Sequence, residues 1–104
     1  GGTDFLGQEV VYFDGKPVWG MNYYGRILNP ELIDGQTAGR IIMESLSRLY
    51  QEGRFLGGFD NETSLGIYFD TNEGDVSSFT GLEWISVQNQ KVYELLYHGG
   101  LIKE

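Results

Sequence analysis

The chain has 104 residues, 40% of them hydrophobic and 14% aromatic, with a formal net charge of −8. That is one domain's length of chain, with enough apolar material for a modest core. The absence of cysteine excludes disulfides and thiolate metal sites. The acidic balance argues against direct nucleic-acid binding, and no apolar run reaches membrane-spanning length.

Gly1-Gly2-Thr3-Asp4 reads as a loop or arm. Residues 7–13 and 17–24 follow as two strands rich in Val, Tyr, Phe and Trp. Asp14-Gly15 between them is a hairpin signal, because both residues tolerate the positive φ of a type I′ turn. Alternation places Trp19, Met21 and Tyr23 on the core side of the second strand, and Gly20, Asn22 and Tyr24 on the other. Asn29-Pro30 starts a short turn or helix. A helix is predicted over Thr37–Glu52, where Ala38, Ile41, Ile42, Ser45, Leu46 and Leu49 form one apolar face and Gly53 supplies the stop. Residues 53–63 read as a polar connection, Ser64–Asp70 as a strand and 71–75 as a turn. A second hairpin is expected at 81–87 and 91–98 around Gln88-Asn89, and Leu101-Ile102 forms a short strand or tail. Tyr93, Leu95 and Tyr97 take its core side, and Glu94, Leu96 and His98 the other.

The two hairpins match at a constant offset of 74 residues. Phe5, Gly7, Glu9, Val18, Tyr23 and Gly25 recur as Phe79, Gly81, Glu83, Val92, Tyr97 and Gly99. Residues 5–27 thus match 79–101, which reads as an internal duplication within a single domain, 1–104. A helix and a strand precede the second copy and nothing precedes the first. The expected full repeat is helix-strand-strand-strand, with the first half one strand short. Its uncovered edge would have to be covered by an upstream segment or by another chain, and a homodimer through the sheet edge is one expectation.

Among chemistry-bearing residues, His98 is the single histidine. It stands at a strand end where the other copy has Tyr24, so a partly buried polar aromatic is the simpler reading. No nucleophile-plus-base motif occurs. The acidic stretches 60–62 and 70–75 fail the EF-hand template and read as solvated turns. One histidine without cysteine makes no transition-metal site, and no cofactor is expected. Glu9 and Glu83 stand out because each shares its strand face with apolar residues, Val11 and Phe13 or Ile85 and Val87. A carboxylate there must be paired or hydrogen-bonded. Each could accept bonds from a tyrosine, Arg26 or backbone amides in a structural role, and as a pair they could bind a cationic ligand or work as acid and base. The aromatic set Trp19, Tyr23, Tyr24, Trp84, Tyr93 and Tyr97 is core material first. Beside carboxylates it also describes a small-molecule pocket.

The blocks Phe5–Tyr12, Pro17–Arg26 and Lys91–Gly100 resemble a bacterial family of domains of unknown function, found alone or behind helix-turn-helix DNA-binding domains. The resemblance implies a cytoplasmic, regulator-associated domain, and supplies no catalytic residues. The expected fold is α+β: a twisted antiparallel sheet from two duplicated hairpin-containing halves, with one main helix packed on it. That layout resembles, by fold-level analogy, bacterial effector-sensing domains such as the GyrI-like group. A non-enzymatic small-molecule-sensing domain is the leading expectation, its site drawn from Glu9, Glu83, Trp19, Tyr23, Tyr97, Asn22 and His98. A protein–protein interaction module is the alternative, and a small enzyme using the glutamates the third.

Overall fold

The computed structural model describes residues 3–103. Asp4–Phe13 (β1) and Lys16–Ile27 (β2) form the first hairpin, and Gly35–Gln51 the helix (α1). Phe59–Glu62 (β3), Ile67–Asp75 (β4), Ser78–Val87 (β5) and Gln90–Leu101 (β6) then run as a meander. All six strands belong to one open antiparallel sheet in the order β1-β2-β6-β5-β4-β3. Over the described residues the fold is α+β, one helix on one six-stranded sheet. The helical connection carries the chain from β2 to the far edge, and the meander returns until β6 closes on β2.

Both hairpin turns have the backbone their residues favour. Asp14 and Gly15 have φ of 51° and 75°, and Gln88 and Asn89 have 53° and 63°. The two hairpins share one register: Gly7 faces Tyr23 and Glu9 faces Met21, as Gly81 faces Tyr97 and Glu83 faces Leu95. Each also has a register shift at the same place, Val11/Tyr12 and Ile85/Ser86.

The helix starts where a capping side chain satisfies its free amides: Asp34 Oδ1 accepts from the Thr37 N–H at 2.7 Å. It ends at Glu52, followed by Gly53 at φ 75°. Ala38, Ile41, Ser45 and Leu49 are its buried stripe. Complete burial of Ile41 and Leu49 contributes roughly 1.5–3 kcal/mol each. Gly39 is exposed, and a Cβ there would meet nothing within 4 Å. Gly39→Ala should therefore raise stability by about 1 kcal/mol, and Asp34→Ala should lower it by about 1 kcal/mol. Urea denaturation of the two variants checks both.

Three segments differ from expectation. Residues 59–62, read as connection, form the edge strand β3; Phe-Asp-Asn-Glu has little intrinsic strand preference. Its buried Asn61 accepts from Arg48 Nη1 at 2.6 Å and donates to Ser45 Oγ at 3.1 Å, tying the edge to α1. The predicted strand starts later, at Ile67, because Thr63 and Gly66 close a turn first. Residues 71–75, read as a turn, continue β4; the turn itself is Val76-Ser77, where Asp75 accepts from the Ser77 amide at 2.9 Å. Neither acidic stretch is therefore a solvated turn. Two strands, not one, precede the second hairpin. The arm expected at Gly1-Gly2 lies outside the described residues, and Asp4 already belongs to β1.

α1 packs over β3 and β4 at one end of the sheet. Strand alternation puts Tyr23, Ile85, Tyr93, Leu95 and Tyr97 beneath it, in the main core. The opposite face is polar in part: Phe69 stacks on Trp84 at 5.0 Å, and Arg26 and Lys91 pair with Glu94 at 2.8 and 2.9 Å.

Candidate functional site

Between α1 and the sheet lies a cavity of about 290 Å³. Ile42, Leu46 and Tyr50, one stripe of α1, form its roof, and Phe55 and Leu56 close one side. The floor comes from the sheet: Phe5, Met21, Tyr23, Tyr93 and Leu95, with Tyr68, Asp70, Glu83 and Tyr97 as its polar part. Its exposed lining is mostly apolar.

Asp70 and Glu83 face each other across β4 and β5, and both are buried, at 6% and 7% exposure. The Tyr68 hydroxyl donates to Glu83 Oε2 at 2.5 Å and the Tyr93 hydroxyl to Oε1 at 2.9 Å. The Tyr97 hydroxyl donates to Asp70 Oδ1 at 2.6 Å and accepts from Asn72 Nδ2 at 3.2 Å. Neither carboxylate has an ion pair among the described residues. Burial pushes the Glu83 carboxyl up from its ordinary value; the two phenol donors oppose this, and the neighbouring Asp70 charge adds to it. Burial likewise raises Asp70, against the Tyr97 bond. The three phenols are pushed up too, chiefly by burial and then by the nearby carboxylates. They remain neutral donors. The site is an acidic pair held by hydroxyls in an aromatic chamber, and it resists carrying two negative charges unless a cation enters.

Small residues make the geometry possible. The Tyr97 ring lies over Gly81, where a Cβ would fall within the ring itself. This lets the hydroxyl cross β5 and reach Asp70 and Asn72 on β4. Tyr23 lies over Gly7 in the same way.

Of the residues singled out in the sequence, Glu83, Tyr23, Tyr93 and Tyr97 line the cavity. Glu9 and Glu83 do not form a pair. β2 and β6 stand between their strands, a separation of three strand spacings or roughly 14 Å, and Glu9 is exposed. The acid beside Glu83 is Asp70. Trp19 sits outside the cavity lining, donating to the Val76 carbonyl at 2.9 Å and stacking on Phe79 at 5.8 Å. Asn22 and His98 are exposed cross-strand neighbours on the opposite face of the sheet. Asp70 and Tyr68 are not among the site candidates the sequence offers, although a signal exists: both alternate onto one face, and a carboxylate beside an aromatic there raises the same question as Glu83. Among the described residues, no group of three or more acidic or histidine side chains could hold a metal ion. No helix there is long and apolar enough to cross a membrane.

The chain belongs to the family described as a domain of unknown function (DUF5680), which matches residues 1–102. No curated protein and no solved structure matches it.

Proposed function

We propose that this DUF5680 domain is a non-enzymatic binding domain for a small aromatic or amphipathic cation, which it takes into the cavity over Asp70 and Glu83. The observation that carries the reading is the acid pair: two buried carboxylates, held only by neutral donors, on the floor of an aromatic chamber. A cation there gains two buried carboxylates beside the rings of Tyr23, Tyr93 and Tyr97. Apolar walls with few polar anchors are the usual build of a ligand pocket, and 290 Å³ suits a compact ligand. A sensing role in a cytoplasmic, regulator-associated protein is the setting in which we place this binding.

Calorimetric titration with phenyltrimethylammonium, and with tert-butylbenzene as its neutral isostere, tests the reading. The cation should bind and the neutral compound should bind much more weakly. Because burial raises both carboxyls, affinity for the cation should climb as pH rises through their displaced values and then level off, with protons released on binding. Equal binding of the two compounds, no binding of the cation, or a pH-independent affinity overturns it.

A further inference from the structure

The outer edge of β1 has no neighbouring strand among the described residues. This edge is ten residues long and contains no Lys, Arg or Pro. Leu6, Tyr12 and Phe13 on it are 80%, 64% and 69% exposed. The Ile27 N–H donates to the Thr3 carbonyl at 2.7 Å, so alternate residues, Phe5, Gly7 and Glu9, direct their amides and carbonyls at β2. Those of Leu6, Gln8 and Val10 consequently point outwards, unpaired among the described residues. Long edges of this kind, irregular only at Val11/Tyr12, are pairing templates.

The other hairpin indicates what such an edge receives. Tyr97 passes over Gly81 and delivers its hydroxyl to acceptors on the next strand, β4. Tyr23 passes over Gly7 in the same register, but among the described residues no strand lies beyond Gly7 to meet it. β1 itself carries an acceptor, Glu9, two residues from that glycine window. A strand with both the window and the acceptor is self-complementary, as a twofold interface requires.

We propose that β1 pairs antiparallel with β1 of a second copy of the chain, centred on Gln8, so that Tyr23 donates its hydroxyl to the partner's Glu9. In this register Gln8 faces the partner's Gln8 as a hydrogen-bonded pair, and Leu6 faces the partner's Val10. Gly7 faces the partner's Glu9 as a closer, non-hydrogen-bonded pair. About six backbone hydrogen bonds form, and each protomer contributes a carboxylate to a tyrosine that lines the other's cavity. A register centred on Glu9 would instead set two carboxylates opposite each other, which is unfavourable. The two six-stranded sheets become one.

The native chain should sediment as a dimer. Gln8→Pro removes an outward N–H and leaves the β2 ladder intact, so it should be monomeric with an unchanged circular dichroism spectrum. The chain has no cysteine, so a cysteine variant reports on its own position alone. Gln8→Cys should oxidise to a covalent dimer, because a hydrogen-bonded pair has its Cα atoms about 5.5 Å apart, within disulfide reach. Leu6→Cys should not. Tyr23→Phe should weaken dimerisation at least tenfold. A native monomer at every concentration would mean that the edge serves some other strand, and the proposal would fail. Equal cross-linking of Leu6→Cys and Gln8→Cys would overturn the register. If Gln8→Pro does not fold, the cysteine pair decides alone.

Discussion

Gly81→Ala should cost about 3 kcal/mol of unfolding free energy, a large share of the roughly 5–15 kcal/mol that a domain of this kind possesses. The added methyl group would occupy the space of the Tyr97 ring. The ring must then lift from β5, which withdraws its hydroxyl from Asp70 and deprives the Asn72 amide of its acceptor. Asp70 keeps its burial and loses its donor, the combination that makes a polar group expensive. Gly20→Ala in the same sheet provides the comparison. There the nearest atoms stand at 3.5 and 3.6 Å, an ordinary contact, and the change should stay within about 0.5 kcal/mol. Urea denaturation of the two variants should separate them clearly. Equal losses would show that general sheet propensity governs both positions, and not the seat of the tyrosine ring.

Glu83→Gln should weaken binding of phenyltrimethylammonium by about 100-fold while leaving the fold intact. The glutamine amide can still accept a bond from one of Tyr68 and Tyr93 and donate to the other, so no buried group is abandoned. Stability should respond in the opposite direction from affinity. The folded-state carboxyl is raised above its ordinary value of 4.5. Its stabilising contribution is therefore complete below that value and is lost as pH rises through the displaced one. Glutamine does not titrate, so the stability of the variant relative to the native domain should increase with pH across that window and then level off. Carboxylates lowered in the fold, Asp34, Asp75 and Glu94, behave in the reverse sense. They are common to both proteins and cancel in the difference. A pH-independent difference, or unchanged cation affinity, would remove Glu83 from the site.

The parts of the fold legible in the sequence were those in which local chemistry and tertiary context agree. The helix was readable from the stripe through Ala38, Ile41, Ser45 and Leu49, and the hairpins from Asp14-Gly15 and Gln88-Asn89 with strong alternation on either side. β3 was not readable, because Asp60, Asn61 and Glu62 are held in a strand by pairing to β4 and by the Arg48–Asn61–Ser45 bonds, not by preference. The same is true of the end of β4, whose Thr-Asn-Glu-Gly-Asp composition imitates a loop. At the site, Glu83 was legible as an acid on an apolar face. Its partner was not, since pairing depends on strand order, and an acid matched in sequence (Glu9) lies three strands away while an unmatched one (Asp70) is adjacent.

The strand order also constrains how the chain can fold. β1 and β2 precede the other described strands in the chain, yet in the sheet they pair onward only with β6, which follows all of them, through contacts such as Tyr23 with Tyr97. A two-stranded hairpin alone is marginal in water, so among the described strands β1 and β2 find their lasting partner only once β6 is available. The α1–β6 segment forms mostly from sequence neighbours and can collapse by itself, leaving the amino-terminal hairpin to dock by a long loop closure. Mutations at the β2–β6 seam should accordingly act mainly on the unfolding rate, with those in the β4–β5–β6 meander slowing refolding.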